Sequence, residues 1–132
     1  MALQNPTAKA TGQAETRDCA DLATGAVRQY LIQHRCEALQ RATFSVSYGR
    51  DRAVVVVAWV EMGSVEDAEG LKEVVDSPGT GSIRPLDRRV TLTGQRYQSD
   101  IDGPLVTTAE AEPVAGSVPG RVLEEAAAQA AG

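Results

Sequence analysis

Ala20, Ala23, Val27, Tyr30 and Leu31 recur at intervals of three and four, the spacing that gathers side chains on one face of an α-helix. Arg28 and Gln29 fall on the other side, so the pattern predicts a helix from about Ala20 to Gln33. Ala42 to Tyr48 then alternates, with Phe44, Val46 and Tyr48 on one side and Thr43, Ser45 and Ser47 on the other, as a half-buried strand does. The polar break Gly49-Arg50-Asp51-Arg52 suits a hairpin loop and leads into the unbroken apolar run Ala53 to Val60. These two strands should pair antiparallel. The second, apolar on both faces, belongs in the middle of a sheet.

Ser64 is a natural N-cap for a second helix, with Glu66, Asp67 and Glu69 in its first turns, where negative charge meets the positive end of the helix dipole. Its buried stripe is Val65, Ala68, Leu71 and Val74 or Val75, and Ser77-Pro78-Gly79-Thr80-Gly81 ends it. Two more strands are predicted at Val90 to Tyr97 and Leu105 to Glu112, joined around Ser99 to Pro104, with Gly94 marking a bulge. Pro119 begins a last helix carrying Val122, Leu123, Ala126 and Ala130, with an Ala-rich end prone to fray. The order is α-ββ-α-ββ-α. It predicts an α+β domain, a four-stranded antiparallel sheet with helices mainly on one face. A helix crossing to the other face would make an α/β/α sandwich, and the strand order stays open.

Composition narrows the partners more than the fold. The 132 residues, 42% of them hydrophobic, suit one domain over residues 18–132, with residues 1–17 as a polar linker or leader. A formal charge of −5 argues against nucleic acid, whose binders neutralise phosphates with Lys and Arg. Aromatic residues make up only 4% of the chain, leaving little to stack on bases or sugars. The longest apolar run, Ala53 to Val60, is far short of the roughly 20 residues of a membrane span. The first fifteen residues lack the layout of a signal peptide.

Cys19 and Cys36 bracket the first helical pattern. A straight helix between them would hold their ends about 25 Å apart, whereas a disulfide needs Cα atoms within roughly 7 Å. A bridge therefore requires the helix to stop near His34 and the chain to double back. An even cysteine count without a CxxC motif favours such a structural disulfide, and with it an oxidising compartment. Two separate buried thiols are the other reading.

No catalytic constellation stands out. His34 is the single histidine, so a zinc site with two His is excluded, and its place at a helix C-terminus suits a dipole interaction. Cys36 is two residues away, but a bridge to Cys19 would consume the thiolate that a Cys-His pair needs. Pro78-Gly79-Thr80-Gly81-Ser82 could offer backbone N–H groups to an anion, with Arg84 nearby, but it lacks a phosphate-loop pattern and reads as the loop that ends helix two. Asp100-Ile101-Asp102-Gly103 lacks the full calcium-loop ligand series and reads as a turn. Glu110 and Glu112, with Glu61, could supply paired carboxylates, though Glu110 and Glu112 at strand spacing read as a solvated face. Neither a metal nor a cofactor is expected. Arg50, Arg52, Arg84, Arg88, Arg89 and Arg96 lie in or beside loops and would recognise an anionic polymer or acidic protein if they shared one end of the sheet. Interleaved Asp51, Asp87 and Asp100 favour ordinary surface arginines.

Cys36-Glu37-Ala38-Leu39, Ala58-Trp59-Val60, Pro78-Gly79-Thr80-Gly81 and Ala109-Glu110-Ala111-Glu112-Pro113 together resemble small uncharacterised extracytoplasmic domains of actinobacterial membrane-anchored envelope proteins, over about residues 18 to 128. The resemblance implies an extracytoplasmic or secreted location, behind a membrane anchor in the full-length protein, and supplies no catalytic residues. The leading expectation is a non-catalytic envelope module that binds a protein or anionic cell-wall polymer through a sheet edge or its Arg-bearing loops. Two other classes compete: a small hydrolase or transferase using a Glu or His34 in a cleft, and a cytosolic regulatory or assembly subunit if the thiols are free.

Overall fold

The structure, a computed structural model, describes residues 6–8, 19–77, 79–84, 92, 96–115 and 118–131. Its elements in chain order are β1 (Pro6–Ala8), a 3-10 turn (Cys19–Leu22), α1 (Gly25–Gln33), β2 (Cys36–Tyr48), β3 (Asp51–Met62), α2 (Val65–Asp76), β4 (Tyr97–Asp102), β5 (Leu105–Ala115) and α3 (Gly120–Ala131). The four long strands form an antiparallel sheet in the order β2-β3-β5-β4, and the short β1 adds to the outer edge of β2. The fold is therefore mixed α+β with the expected element order.

Both hairpins close on two residues led by a glycine of positive φ. Gly49 (φ 61°) and Arg50 join β2 to β3, and Gly103 (φ 58°) and Pro104 join β4 to β5. A first loop residue in the left-handed region gives the chain the twist that a tight hairpin needs, and glycine adopts it without steric cost.

Central β3 is buried on both faces because helices lie on both. On one side Ala58, Val60 and Met62 meet Val27 and Leu31 of α1 and Ala68, Leu71 and Val75 of α2, joined by Leu39 and Val106. On the other side Ala53, Val55 and Val57 meet Val122, Leu123, Ala126, Ala127 and Ala131 of α3. Two of the three helices thus share a face. Ala109 and Ala111 of β5 complete the α3 side, so small residues on both surfaces let that helix sit close. The Ala-rich end of α3 is packed rather than frayed, with Ala126 and Ala127 fully buried.

Three segments depart from the sequence reading. The first helical pattern is broken: Ala23 pairs with Ile83 in an antiparallel bridge, Thr24 is extended, and the α-helix starts only at Gly25. β2 begins at Cys36 rather than Ala42: its register is unbroken from Ala38, but Leu39 packs on the face opposite to Phe44, so the apolar alternation read from Ala42 does not extend back to it. β4 occupies Tyr97–Asp102, where a turn was predicted, and its residues alternate between half-buried and exposed. Asp100 and Asp102 are the exposed charges of an edge strand, a common protection against edge pairing. The predicted strand from Val90 falls largely outside the described residues, as do Gly94, Arg88 and Arg89.

Candidate functional site

A cleft of about 180 Å³ opens where the α1/α2 layer stops short of the end of the sheet. Its floor is Val56 and Ala58 of β3, Thr108 and Glu110 of β5, and Tyr97 of β4; its wall is Val75 to Ser77 at the end of α2 and the loop from Gly79 to Arg84. The register explains the floor. Val56 lies opposite Glu110, Ala58 opposite Thr108, and Tyr97 opposite Glu110, so these side chains share one face across three strands.

The loop that forms the wall is tied down on both sides. The Thr80 hydroxyl lies 2.7 Å from the carbonyl oxygens of both Val74 and Ser77, fixing the loop to α2. Toward α1, the Val27 N–H donates to the Thr80 carbonyl (3.0 Å), the Thr24 N–H to the Ser82 carbonyl (2.9 Å), and the Ser82 N–H to the Thr24 hydroxyl (3.0 Å). The Arg84 N–H donates to the Leu22 carbonyl at 2.7 Å, and Arg41 Nη1 donates to the Arg84 carbonyl at 3.0 Å. The glycine-rich loop therefore presents carbonyls to the first turn of α1, whose N–H groups have no partner within the helix. That is the reverse of the donor array that an anion would require.

Polar groups converge at the end of α2. Asp76 accepts from Lys72 Nζ at 2.6 Å through Oδ2 and from the Ser99 hydroxyl at 2.5 Å through Oδ1. Burial pushes the Asp76 acid up, but the hydrogen bonds from Lys72 and Ser99, the charge of Lys72 and, last, a hydrogen bond from Tyr97 outweigh it, leaving the carboxyl below its usual range. The Tyr97 hydroxyl is out of reach of solvent. Asp76 and Ser99 are its polar neighbours. Burial first, then the negative charge of Asp76, with a smaller contribution from Glu110, raises the Tyr97 acid well above the usual tyrosine range.

Glu110 and Glu112 are not the solvated face that their spacing predicted: they are only 6% and 7% exposed. Each sits opposite a β3 valine, Glu110 facing Val56 and Glu112 facing Val54, on the side of the sheet that also carries α1 and α2. Glu61 is exposed at the far end of β3, opposite Leu105.

His34 caps the end of α1 and points away from the cleft. Its Nδ1 lies 3.1 Å from Asp67 Oδ1, and its ring stacks on Tyr30 with centroids 4.3 Å apart. Asp67 sits in the first turn of α2 and the cleft at the last, about 13 Å along a helix that rises 1.5 Å per residue. Neither His34 nor Glu61 lines the cleft. Among the described residues, no group of three or more His, Cys, Asp or Glu side chains is placed to hold a metal ion, and no helix is long and apolar enough to cross a membrane.

The arginines fall on separate surfaces. Arg50 and Arg52 sit at the β2-β3 hairpin tip, Arg84 on the rim of the cleft, and Arg96 on the α3 side, where its Nε lies 3.8 Å from Glu124 Oε1. Arg84 and Arg96 are thus divided by the sheet. Cys19 and Cys36 come together, with Cα atoms 6.2 Å apart and their sulfurs at bonding distance, and the helix between them ends at Gln33. Sequence reasoning missed Tyr97 and Asp76 as site residues. Only the alternation Val106, Thr108, Glu110, which places three unlike side chains on one face, hinted at the floor.

Compared with protein-family models, with curated proteins and with solved structures, the chain matches none.

Proposed function

We propose that this domain is a non-catalytic, disulfide-stapled binding module of an extracytoplasmic compartment, and that its recognition surface is the cleft at the end of α2. One observation carries the reading: the cleft has a fixed wall, the loop hydrogen-bonded to both α1 and α2, over a floor where Val56 and Ala58 lie beside Thr108, Glu110 and Tyr97. Among the described residues its ionisable groups are Asp76, held ionised by Lys72 and Ser99, Glu110, Tyr97, held protonated, and Arg84. A carboxyl tied to an ammonium and a phenol of raised pKa are poor proton carriers near neutral pH. They are good fixed dipoles for orienting a ligand. The Cys19–Cys36 pair supports the compartment, because disulfides persist where thiols are not kept reduced. The likeness to envelope domains favours a protein partner or wall polymer, and the acidic net charge argues against nucleic acid.

The test is an amide NMR titration of the oxidised domain with fractionated envelope proteins and soluble wall-polymer fragments. Shifts confined to Ala58, Ile83, Tyr97 and Thr108, with the added molecule recovered chemically unchanged by mass spectrometry, support the reading. Cleavage or modification of that molecule would instead establish an enzyme.

A further inference from the structure

The α3 side of the sheet is only partly covered. Val57 and Ala109, opposed on β3 and β5, are buried in the core beneath α3. One row further along, Trp59 is half-buried, and in the row after that Glu61 and Asp102 are exposed. We propose that this open end of the α3 face docks an arginine-bearing segment of a partner protein. The surface lies across the sheet from the cleft, so the inference goes beyond the reading of the cleft and does not depend on it.

Sheet register assembles the surface. Gln40 lies opposite Trp59, Trp59 opposite Thr107, and Thr107 opposite Asp100, so each of the four long strands contributes one residue to a single row. In the next row Leu105, half-buried, stands between Glu61 and Asp102. Strand spacing puts the β3 and β4 carboxylates about 10 Å apart across β5. Glu61, Asp100 and Asp102 therefore border a strip formed by Trp59 and Leu105.

Charge selects the occupant. Glu61, Asp100 and Asp102 are exposed, and no ion pair or side-chain hydrogen bond among the described residues engages them. Neither row contains an arginine or a lysine. Three like charges make the local potential negative, which favours a cationic partner and disfavours an anionic wall polymer. Edge protection accounts for Asp100 and Asp102 on β4, but not for Glu61, which lies on the central strand β3.

Trp59 and Leu105 select arginine among cations. A guanidinium stacks on an indole, the aromatic ring that attracts a cation most strongly. The arginine stem can lie along Leu105 while its planar fork meets a carboxylate. Lysine would bring the charge without the stacking plane.

Trp59 is the chain's only tryptophan, so its emission reports on this surface alone. The full oxidised chain is titrated with the peptide acetyl-Gly-Arg-Gly-Arg-Gly-amide and with its citrulline counterpart, similar in shape but uncharged. The expected result is a saturable change in Trp59 emission with the arginine peptide, amide NMR shifts at Gln40, Glu61 and Thr107, and binding about ten-fold weaker for citrulline. Affinity for the arginine peptide should fall several-fold between about 0.02 and 0.3 M salt. The double variant Glu61→Gln, Asp100→Asn should stay folded, because both side chains are exposed, and should bind the arginine peptide about five-fold more weakly. Equal binding of the two peptides overturns the proposal, as does an arginine peptide that leaves Trp59 emission and these amides unchanged. A response to chitohexaose in place of the arginine peptide also overturns it and marks the surface as a sugar platform.

Discussion

Tyr30 of α1 donates its hydroxyl to the carbonyl of Asp67 in α2 at 2.8 Å, and its ring lies over Gly70. The same Asp67 donates its backbone N–H to the Ser64 cap hydroxyl (3.1 Å) and meets His34 through its carboxylate. One tyrosine thus fixes the spacing of the two helices that form the layer beside the cleft. Burial, with the charge of Asp67 second, raises the Tyr30 acid above its ordinary value, so it remains a donor across the neutral range.

Gly70→Ala tests this spacing. In an open helix the change would stabilise by about 1 kcal/mol, but here the new methyl group overlaps the Tyr30 hydroxyl and ring. The expected outcome is a loss of about 1–3 kcal/mol in urea unfolding. The paired Tyr30→Leu, Gly70→Ala variant should lose less than the sum of the single changes.

Two glycines of the cleft wall separate backbone strain from steric overlap. Gly79 (φ 79°) has open space where a Cβ would stand, whereas at Gly81 (φ 92°) the Cβ would strike the carbonyl of Thr24. Gly79→Ala should cost about 1–2 kcal/mol from its left-handed conformation alone. Gly81→Ala adds the overlap with α1's entry and should cost more in the same unfolding experiment.

These contrasts also show what the sequence carries. The α1 stripe Val27 and Leu31, the apolar run of β3, the Ser64 cap and the glycine-led turn of the first hairpin could be read because each depends on neighbours within a few residues. β4 could not: Ser99, Asp100 and Asp102 look like a turn until β5 supplies the partner that makes them an edge. Thr24 and Ala23 left the helical pattern because the distant Ser82 and Ile83 offered hydrogen bonds that local periodicity cannot reveal. The cleft was illegible for the same reason, since Tyr97, Asp76 and Val56 meet only through sheet register and the end of α2. Glu110 and Glu112 misled because charge at period two ordinarily marks solvent.

Asp76 makes stability acid-sensitive in a predictable direction. Its folded-state acid is stronger than the ordinary value of 3.8, so the favourable contribution of the ionised group is present above about pH 4 and lost as pH falls through the lower folded-state value. Asp76→Asn should therefore lower stability at neutral pH, and the difference from the parent protein should shrink below about pH 4. Thermal midpoints measured from pH 2.5 to 7 give the comparison.

The Cys19–Cys36 link closes a loop with a sequence separation of 17 residues between the 3-10 turn and the start of β2. Restricting an unfolded chain by such a loop is worth about 3 kcal/mol. The double variant Cys19→Ser, Cys36→Ser should lose stability of that order in urea, and added reductant should then have no further effect on it. The parent protein should weaken under reductant to a similar degree.

The central claim, an oxidised binding domain outside the reducing cytosol, is tested most directly by mass spectrometry of the protein recovered from its own cells. The cells are quenched in acid, and the protein is unfolded and alkylated without reductant. The account predicts no alkyl adducts on Cys19 and Cys36, and two adducts once reductant precedes alkylation. Two adducts on the unreduced protein would contradict it.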